Sequence, residues 1–162
     1  MSYFLPIIET FNKNDIVYVA VGGIAVILHG HTRLTTDIDF IIKLETENIN
    51  RATKAISELG YIPKVPIKLA DFANEEIRKS WISEKGMQVL GFTLPNNPLV
   101  SIDIFVKYPI DFNSLYKDSK EVNLDNSKIR ICSINHLIEM KQIAGRAKDL
   151  EDIRILELLK NG

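Results

Sequence analysis

Several familiar signals are missing from this sequence, and each absence closes off a class of function. Cysteine occurs once, as Cys132. No disulfide can close within the chain, and a reducing, cytoplasmic setting is the expectation. Three histidines beside that single thiol are too few for a multi-ligand thiolate zinc site. No sign of charge dominates, because 20 Lys and Arg stand against 21 Asp and Glu, for a formal net charge of -1. A nucleic-acid partner would have to meet a local basic patch rather than a basic protein. The long run without charge that starts at Ile16 and passes His31 is broken by Gly22-Gly23 and Gly30. It falls short of the roughly 20 apolar residues that a spanning helix needs, so no membrane association is expected. The opening Met1-Ser2-Tyr3-Phe4-Leu5-Pro6 has no basic segment, so no signal peptide is expected. No internal repeat and no low-complexity stretch interrupts the chain.

What is present is the composition of a folded domain. Apolar residues make up 46% and charged residues 25%, which excludes disordered and fibrous classes. A length of 162 residues predicts one domain over 1–162, with a core of about 1–110 and a C-terminal helical part of about 133–160. Residues 4–12 read as a short helix. Ile16 to Val21 is a β-branched apolar run and reads as a buried strand. Gly22-Gly23 ends it, and Ile24 to Leu28 reads as a helical turn. Thr36 to Ile42 predicts a second strand. Thr46 is read as the N-cap of a helix to Leu59. Tyr61 to Val65 is restricted to a sheet edge by Pro63 and Pro66. Asp71 is read as the cap of a helix through Lys79. Met87–Leu94 and Leu99–Val106 predict a hairpin about Pro95-Asn96-Asn97-Pro98, and Ile129–Ile131 a last strand. Ser133 caps a helix to about Ala144, and Asp149, with Asp152 at capping-box spacing, is read as the cap of another to Leu159. The order predicts an α+β fold, a small mixed sheet with helices packed on it.

Three carboxylates stand out against this background. Asp37 and Asp39 lie in a strand otherwise made of Ile38, Phe40, Ile41 and Ile42. Residues i and i+2 of a strand point to one face, roughly 6.6 Å apart. Like charges so placed are unfavourable without a cation. Asp103 stands alone between Ile102 and Ile104. Three oxygen donors on strands suit a hard divalent cation such as Mg²⁺, which leaves positions open for phosphates, and two such ions serve phosphoryl transfer. An exposed edge position is the alternative for each, and weighs most for Asp103.

Upstream, Gly22-Gly23 follows a buried strand and opens a helix, where backbone amides can approach an anion closely. Alone it is equally a tight turn. Its spacing says more. Val21-Gly22-Gly23, thirteen residues, then Asp37-Ile38-Asp39-Phe40, with Asp103 on a later strand, resembles the signature of the DNA polymerase β-like nucleotidyltransferase superfamily. The finer pattern of Gly22-Gly23-Ile24-Ala25, His29-Gly30, Arg33, Thr35 and Asp37-Ile38-Asp39 resembles small bacterial proteins related to AbiE-type abortive-infection toxins. So does the stretch with Met140-Lys141, Ala144-Gly145-Arg146, Lys148-Asp149 and Asp152-Ile153. The similarity covers residues 16–42, 99–106 and 133–156.

The resemblance implies a palm-like nucleotidyltransferase fold and a Mg²⁺-dependent enzyme with a two-ion site, Mn²⁺ being a substitute. Gly22 and Gly23 would hold the triphosphate of an NTP. Asp37, Asp39 and Asp103 would be the catalytic, metal-binding carboxylates. NMP would pass to an acceptor hydroxyl on RNA, protein or a small molecule such as an antibiotic, and pyrophosphate would leave. The toxin-like branch also implies an antitoxin-like partner protein. Arg33 and Thr35 are candidate phosphate contacts, against a solvated loop charge and a turn-capping hydroxyl. Lys141, then Arg146, are candidates for the triphosphate, while Lys148, Asp149 and Asp152 are read as helix-end residues. His29 and His136 are read as structural, as is Cys132. Two other readings stay open: a nucleotide-binding module that acts through a partner, and a structural domain whose strands are stapled by metal.

Overall fold

Helices and strands alternate along the chain in the computed structural model, which describes residues 2–162. A 3₁₀ turn, Ser2–Phe4, leads into α1 (Leu5–Lys13), β1 (Tyr18–Val21), α2 (Gly22–Leu28), β2 (Asp37–Ile42) and α3 (Thr46–Glu58). Then come β3 (Ile62–Pro63), a 3₁₀ turn (Leu69–Ala73), α4 (Glu75–Lys85), β4 (Val89–Leu94) and β5 (Asn97–Phe105). The chain closes with α5 (Phe112–Asp118), β6 (Lys120–Leu124), β7 (Ser127–Ile131), α6 (Ile134–Ala144) and α7 (Ala147–Asn161). The seven strands form one mixed sheet in the order β3-β4-β5-β2-β1-β7-β6. Parallel pairing joins β2 to β5 and β1 to β7, and the other neighbours run antiparallel.

Alternation along β2 divides the sheet into two faces. Ile38, Phe40 and Ile42 are fully buried on one. There Phe40 meets Phe11 of α1 at a centroid distance of 4.9 Å and Tyr18 at 5.3 Å. Asp37, Asp39 and Ile41 take the other face. Asn48 fastens α3 to both central strands: its amide donates to Val17 O at 3.0 Å and Lys43 O at 2.8 Å, and its oxygen accepts from Val17 N at 2.8 Å. Every buried amide group there is thus matched, as burial requires.

The structure moves several expected element ends. α3 begins at Thr46 itself, after Glu45, without a side-chain cap. Asp71 falls inside the 3₁₀ turn, and Asn74 caps α4 by accepting from Ile77 N at 3.1 Å. α7 starts after Arg146, with Asp149 in its third position rather than ahead of it. α5 and β6 were not expected. β6 is the outer partner of β7, mostly exposed, so it carries no apolar run. Ser133 does cap α6, accepting from His136 N at 3.2 Å, and β3 does lie at the sheet edge. Among the described residues no helix is long and apolar enough to cross a membrane.

Candidate active site

Sheet register brings the carboxylates together. Asp39 on β2 is the direct partner of Asp103 on β5, and Asp37 is the partner of Ser101. Neighbouring strands lie about 4.8 Å apart, so Asp39 and Asp103 stand side by side, with Asp37 two residues along on the same face. Ser101 is buried, and its hydroxyl donates to Asp37 Oδ1 at 2.6 Å, which fixes that carboxylate. Across the next strand, Gly91 faces Asp103. A Cβ at Gly91 would lie 3.1 Å from Asp103 Oδ1 and 3.1 Å from Lys64 Cδ. The missing side chain therefore lets the Lys64 stem cross β4 toward Asp103.

The glycine turn closes on the same carboxylates. Gly22 has φ +66°, and a Cβ there would lie 2.2 Å from Asp39 Oδ2. Only glycine fits, for conformation and for space. A Cβ on Gly23 would lie 3.0 Å from Thr35 Oγ1 and 3.6 Å from Arg33 Cζ. Thr35 turns its hydroxyl back on its own loop, donating to Asp37 O at 3.0 Å, as a turn residue does. Arg33 is not a free loop charge, since its Nη1 donates to Asp152 Oδ2.

Asp152 and Asp149 gather the remaining cations. Lys141 is buried, and its Nζ donates to Asp152 Oδ2 at 2.7 Å and to Asp149 Oδ1 at 3.5 Å. Arg146 grips Asp149 through Nε at 2.8 Å and Nη2 at 3.3 Å, and its backbone N–H donates to the same carboxylate at 3.1 Å. That last bond is the helix-capping role expected of Asp149, displaced to the third position. The larger role is to bind the two cations, and sequence reading missed it because both roles need an Asp near a helix start.

Charge is left unbalanced only on the sheet side. Burial pushes the Asp39 carboxyl up, and Asp103 and Asp37 push it further, to about 7 against the partial relief of Lys141 and Arg146. Burial also raises Asp103, with Lys64 acting the other way. For Asp149, burial is outweighed by Arg146 and Lys141, and its carboxyl sits below the ordinary range.

A cleft of about 590 Å³ runs past these groups, lined by Gly22, Asp39, Asp103, Lys141, Arg146 and Asp149 among others. Asp37, Gly23, Arg33 and Thr35 are not part of its lining. A larger cavity of about 870 Å³, beside the β6–β7 hairpin, contains none of the expected site residues. The donor set on the sheet face suits Mg²⁺, being all carboxylate oxygen, with like charge crowding Asp39. Among the described residues no group of three or more His, Cys, Asp and Glu side chains is gathered so that it could hold a metal ion by itself, whereas Mg²⁺ is usually held by one or two carboxylates with substrate phosphates. Of the residues read as structural, His29 has its Nε2 2.8 Å from Cys132 O, and burial pushes the Cys132 thiol up to about 12.

Comparisons with known proteins bear on the family and the fold. The profile of a family described as "Nucleotidyltransferase of unknown function (DUF6036)" matches residues 5–161. No curated protein is similar in sequence at a significant level. Among solved structures, the lincosamide antibiotic adenylyltransferase LnuA with lincomycin bound is similar with a TM-score of 0.63 at 17% identity, over 94% of this chain and 93% of that one. ANT(2")-Ia in complex with adenylyl-2"-tobramycin gives 0.61 at 13%, over 99% and 94%. A protein of Thermotoga maritima assigned as a nucleotidyltransferase gives 0.59 at 16%, over 99% and 92%. At such identities the likeness is one of fold.

Proposed function

The chain belongs to the DUF6036 family of nucleotidyltransferases, and from that premise we infer that it transfers NMP from an NTP to an acceptor hydroxyl with Mg²⁺. The observation that carries this reading is the pairing of Asp39 with Asp103 on neighbouring strands, under a glycine turn that closes on Asp39. The amides of Gly22 and Gly23 open α2 and receive the β- and γ-phosphates, aided by Arg33, Lys141 and Arg146. Thr35 holds the loop that carries Arg33. Asp37, Asp39 and Asp103 would hold the metal together with the phosphates of the NTP, Ser101 fixing Asp37 and the sheet register setting Asp39 beside Asp103. Mg²⁺, or Mn²⁺ in its stead, neutralises the charge that grows on the transferring phosphate when bound. Asp103 accepts the hydroxyl proton as the acceptor oxygen bonds to the α-phosphorus. The bond from that phosphorus to the β-phosphate oxygen breaks, and pyrophosphate leaves with the electron pair.

The pattern from Gly22 to Asp39 and from Met140 to Ile153 supports an AbiE-toxin-like member acting on RNA or protein in the cytoplasm, with an antitoxin-like partner. A small-molecule acceptor is the second reading. The lincosamide antibiotic adenylyltransferase LnuA with lincomycin bound and ANT(2")-Ia in complex with adenylyl-2"-tobramycin share this fold over 93% and 94% of their own chains, which supports that reading. The test is label transfer from each of four α-labelled NTPs with Mg²⁺ and a fractionated cell extract. Labelled product that D37N/D39N fails to make supports the enzyme. Nucleotide binding without pyrophosphate release supports a binding module instead.

A further inference from the structure

The sheet fixes an order of groups that also says where the acceptor must lie. From β1 to β4 it runs Gly22, Asp39, Asp103, Gly91. Arg33 and Lys141, joined through Asp152, sit on the glycine side. Phosphoryl displacement places the entering and leaving oxygens roughly in line. With pyrophosphate held at the glycine end, the attacking hydroxyl enters from the Asp103 end. From Asp103 the cleft continues along the strands, toward the end of β5. Phe105 follows Asp103 by two residues and pairs with Val89, so both share the carboxylate face. Gln88 and Pro109 extend that wall, and Leu137 and Met140 of α6 form the other.

None of these six residues is charged, and Lys64, whose stem crosses β4 toward Asp103, is not part of the lining. The cleft as a whole, about 590 Å³, has the size of a small-molecule pocket. A polycation held there would find, beyond the carboxylates of the reaction, only Asp149 in the lining, which Lys141 and Arg146 already answer. A polynucleotide would need a basic track with stacked aromatic rings, and Phe105 is the single ring in this wall. Gln88 engages β5 through its backbone, its carbonyl accepting from Val106 N at 3.1 Å, and it is an exposed residue of the lining. An amide both donates and accepts, so it can pair with a hydroxyl or carbonyl without selecting charge.

We propose that the acceptor is an uncharged small molecule with a hydroxyl next to an apolar body. That body rests between Phe105, Pro109 and Met140, Gln88 bonds its polar edge, and its hydroxyl meets Asp103. This rests on the nucleotidyl-transfer reading above, and of its two acceptor readings it takes the small molecule in place of RNA or protein. The acceptor O–H gives its proton to Asp103 and its oxygen to the α-phosphorus, and pyrophosphate is displaced.

The test offers three acceptor classes with α-labelled NTPs and Mg²⁺: neutral alkyl glycosides such as n-octyl β-D-glucoside, 2-deoxystreptamine aminoglycosides, and RNA oligonucleotides. Label is expected on the neutral glycosides. For those, Q88A and V89W are expected to raise the acceptor KM at least tenfold while the Kd for the Mg²⁺–NTP complex moves less than twofold. E58A, at an exposed position of α3, serves as the control for both constants. Label on RNA or aminoglycoside instead overturns the proposal, as does pyrophosphate release without label on any glycoside. An unchanged KM in both variants also overturns it. Absence of both NTP binding and pyrophosphate release overturns the underlying reading, a result that the other outcomes do not resemble.

Discussion

Two groups of aspartates occupy neighbouring parts of this molecule, and the protein treats them in opposite ways. Asp149 and Asp152 are buried, and Lys141, Arg146 and Arg33 answer both charges within hydrogen-bond reach. Asp37, Asp39 and Asp103 share one sheet face with each other, and burial and mutual repulsion carry Asp39 to about 7. The first group spends its charge inside the protein and orders two helices and a loop. The second keeps its charge unbalanced beside a cleft, which is the electrostatic condition for taking up a cation with its phosphate ligands. Their contact through Lys141 and Arg146, whose charge reaches Asp39, makes the compensated group a support for the uncompensated one.

That contrast can be broken at either end. The largest effect is expected for D39N, a loss of transfer of about a thousandfold or more, the scale of removing a transition-state charge contact. The same variant should be more stable than the parent above neutral pH. The folded carboxyl titrates near 7, above its unfolded value of 3.8, so the folded state holds the extra proton between those values. Stability from this group is full below about pH 4 and is lost as pH rises through about 7. Melting curves across pH 4–8 should show that loss in the parent and not in D39N.

Next in size, D152A should destabilise by roughly 3–5 kcal/mol in denaturant titration, because it strands buried Lys141 without its shortest partner. The pair D152L/K141M should recover much of that stability and little of the activity, which separates the structural role of the cluster from its role at the phosphates. S101A should keep the fold and lower kcat about tenfold, since it frees the Asp37 carboxylate that a 2.6 Å bond now fixes. The smallest change is expected at Thr93, whose buried hydroxyl has no partner among the described residues. T93V should be neutral or gain up to about 1 kcal/mol, showing that an unanswered neutral group on this face has no counterpart to the role of Asp39.

The sequence made some of this legible and hid the rest for a physical reason. Gly22, Asp37, Asp39 and Asp103 each break the local apolar pattern, and their strands were placed to within a few residues. Ser101, Gly91 and Lys64 break no pattern. They matter only because register sets them beside Asp37 and Asp103, and register between distant strands is not written in any one segment. α5 and β6 escaped because exposed edge elements carry weak periodicity. Asp149 showed the converse difficulty, where a capping signal was genuine and its residue also held two cations.

The central claim is that the sheet carboxylates lack a countercharge that Mg²⁺ with a triphosphate supplies. Calorimetric titration of Mg²⁺ and a non-hydrolysable NTP analogue near pH 7, repeated in buffers of different ionisation enthalpy, counts the protons released on binding. The account predicts net release in the parent as Asp39 gives up its proton, and a clear reduction of that release in D39N. Tight binding with no proton release, the same in both proteins, would contradict it.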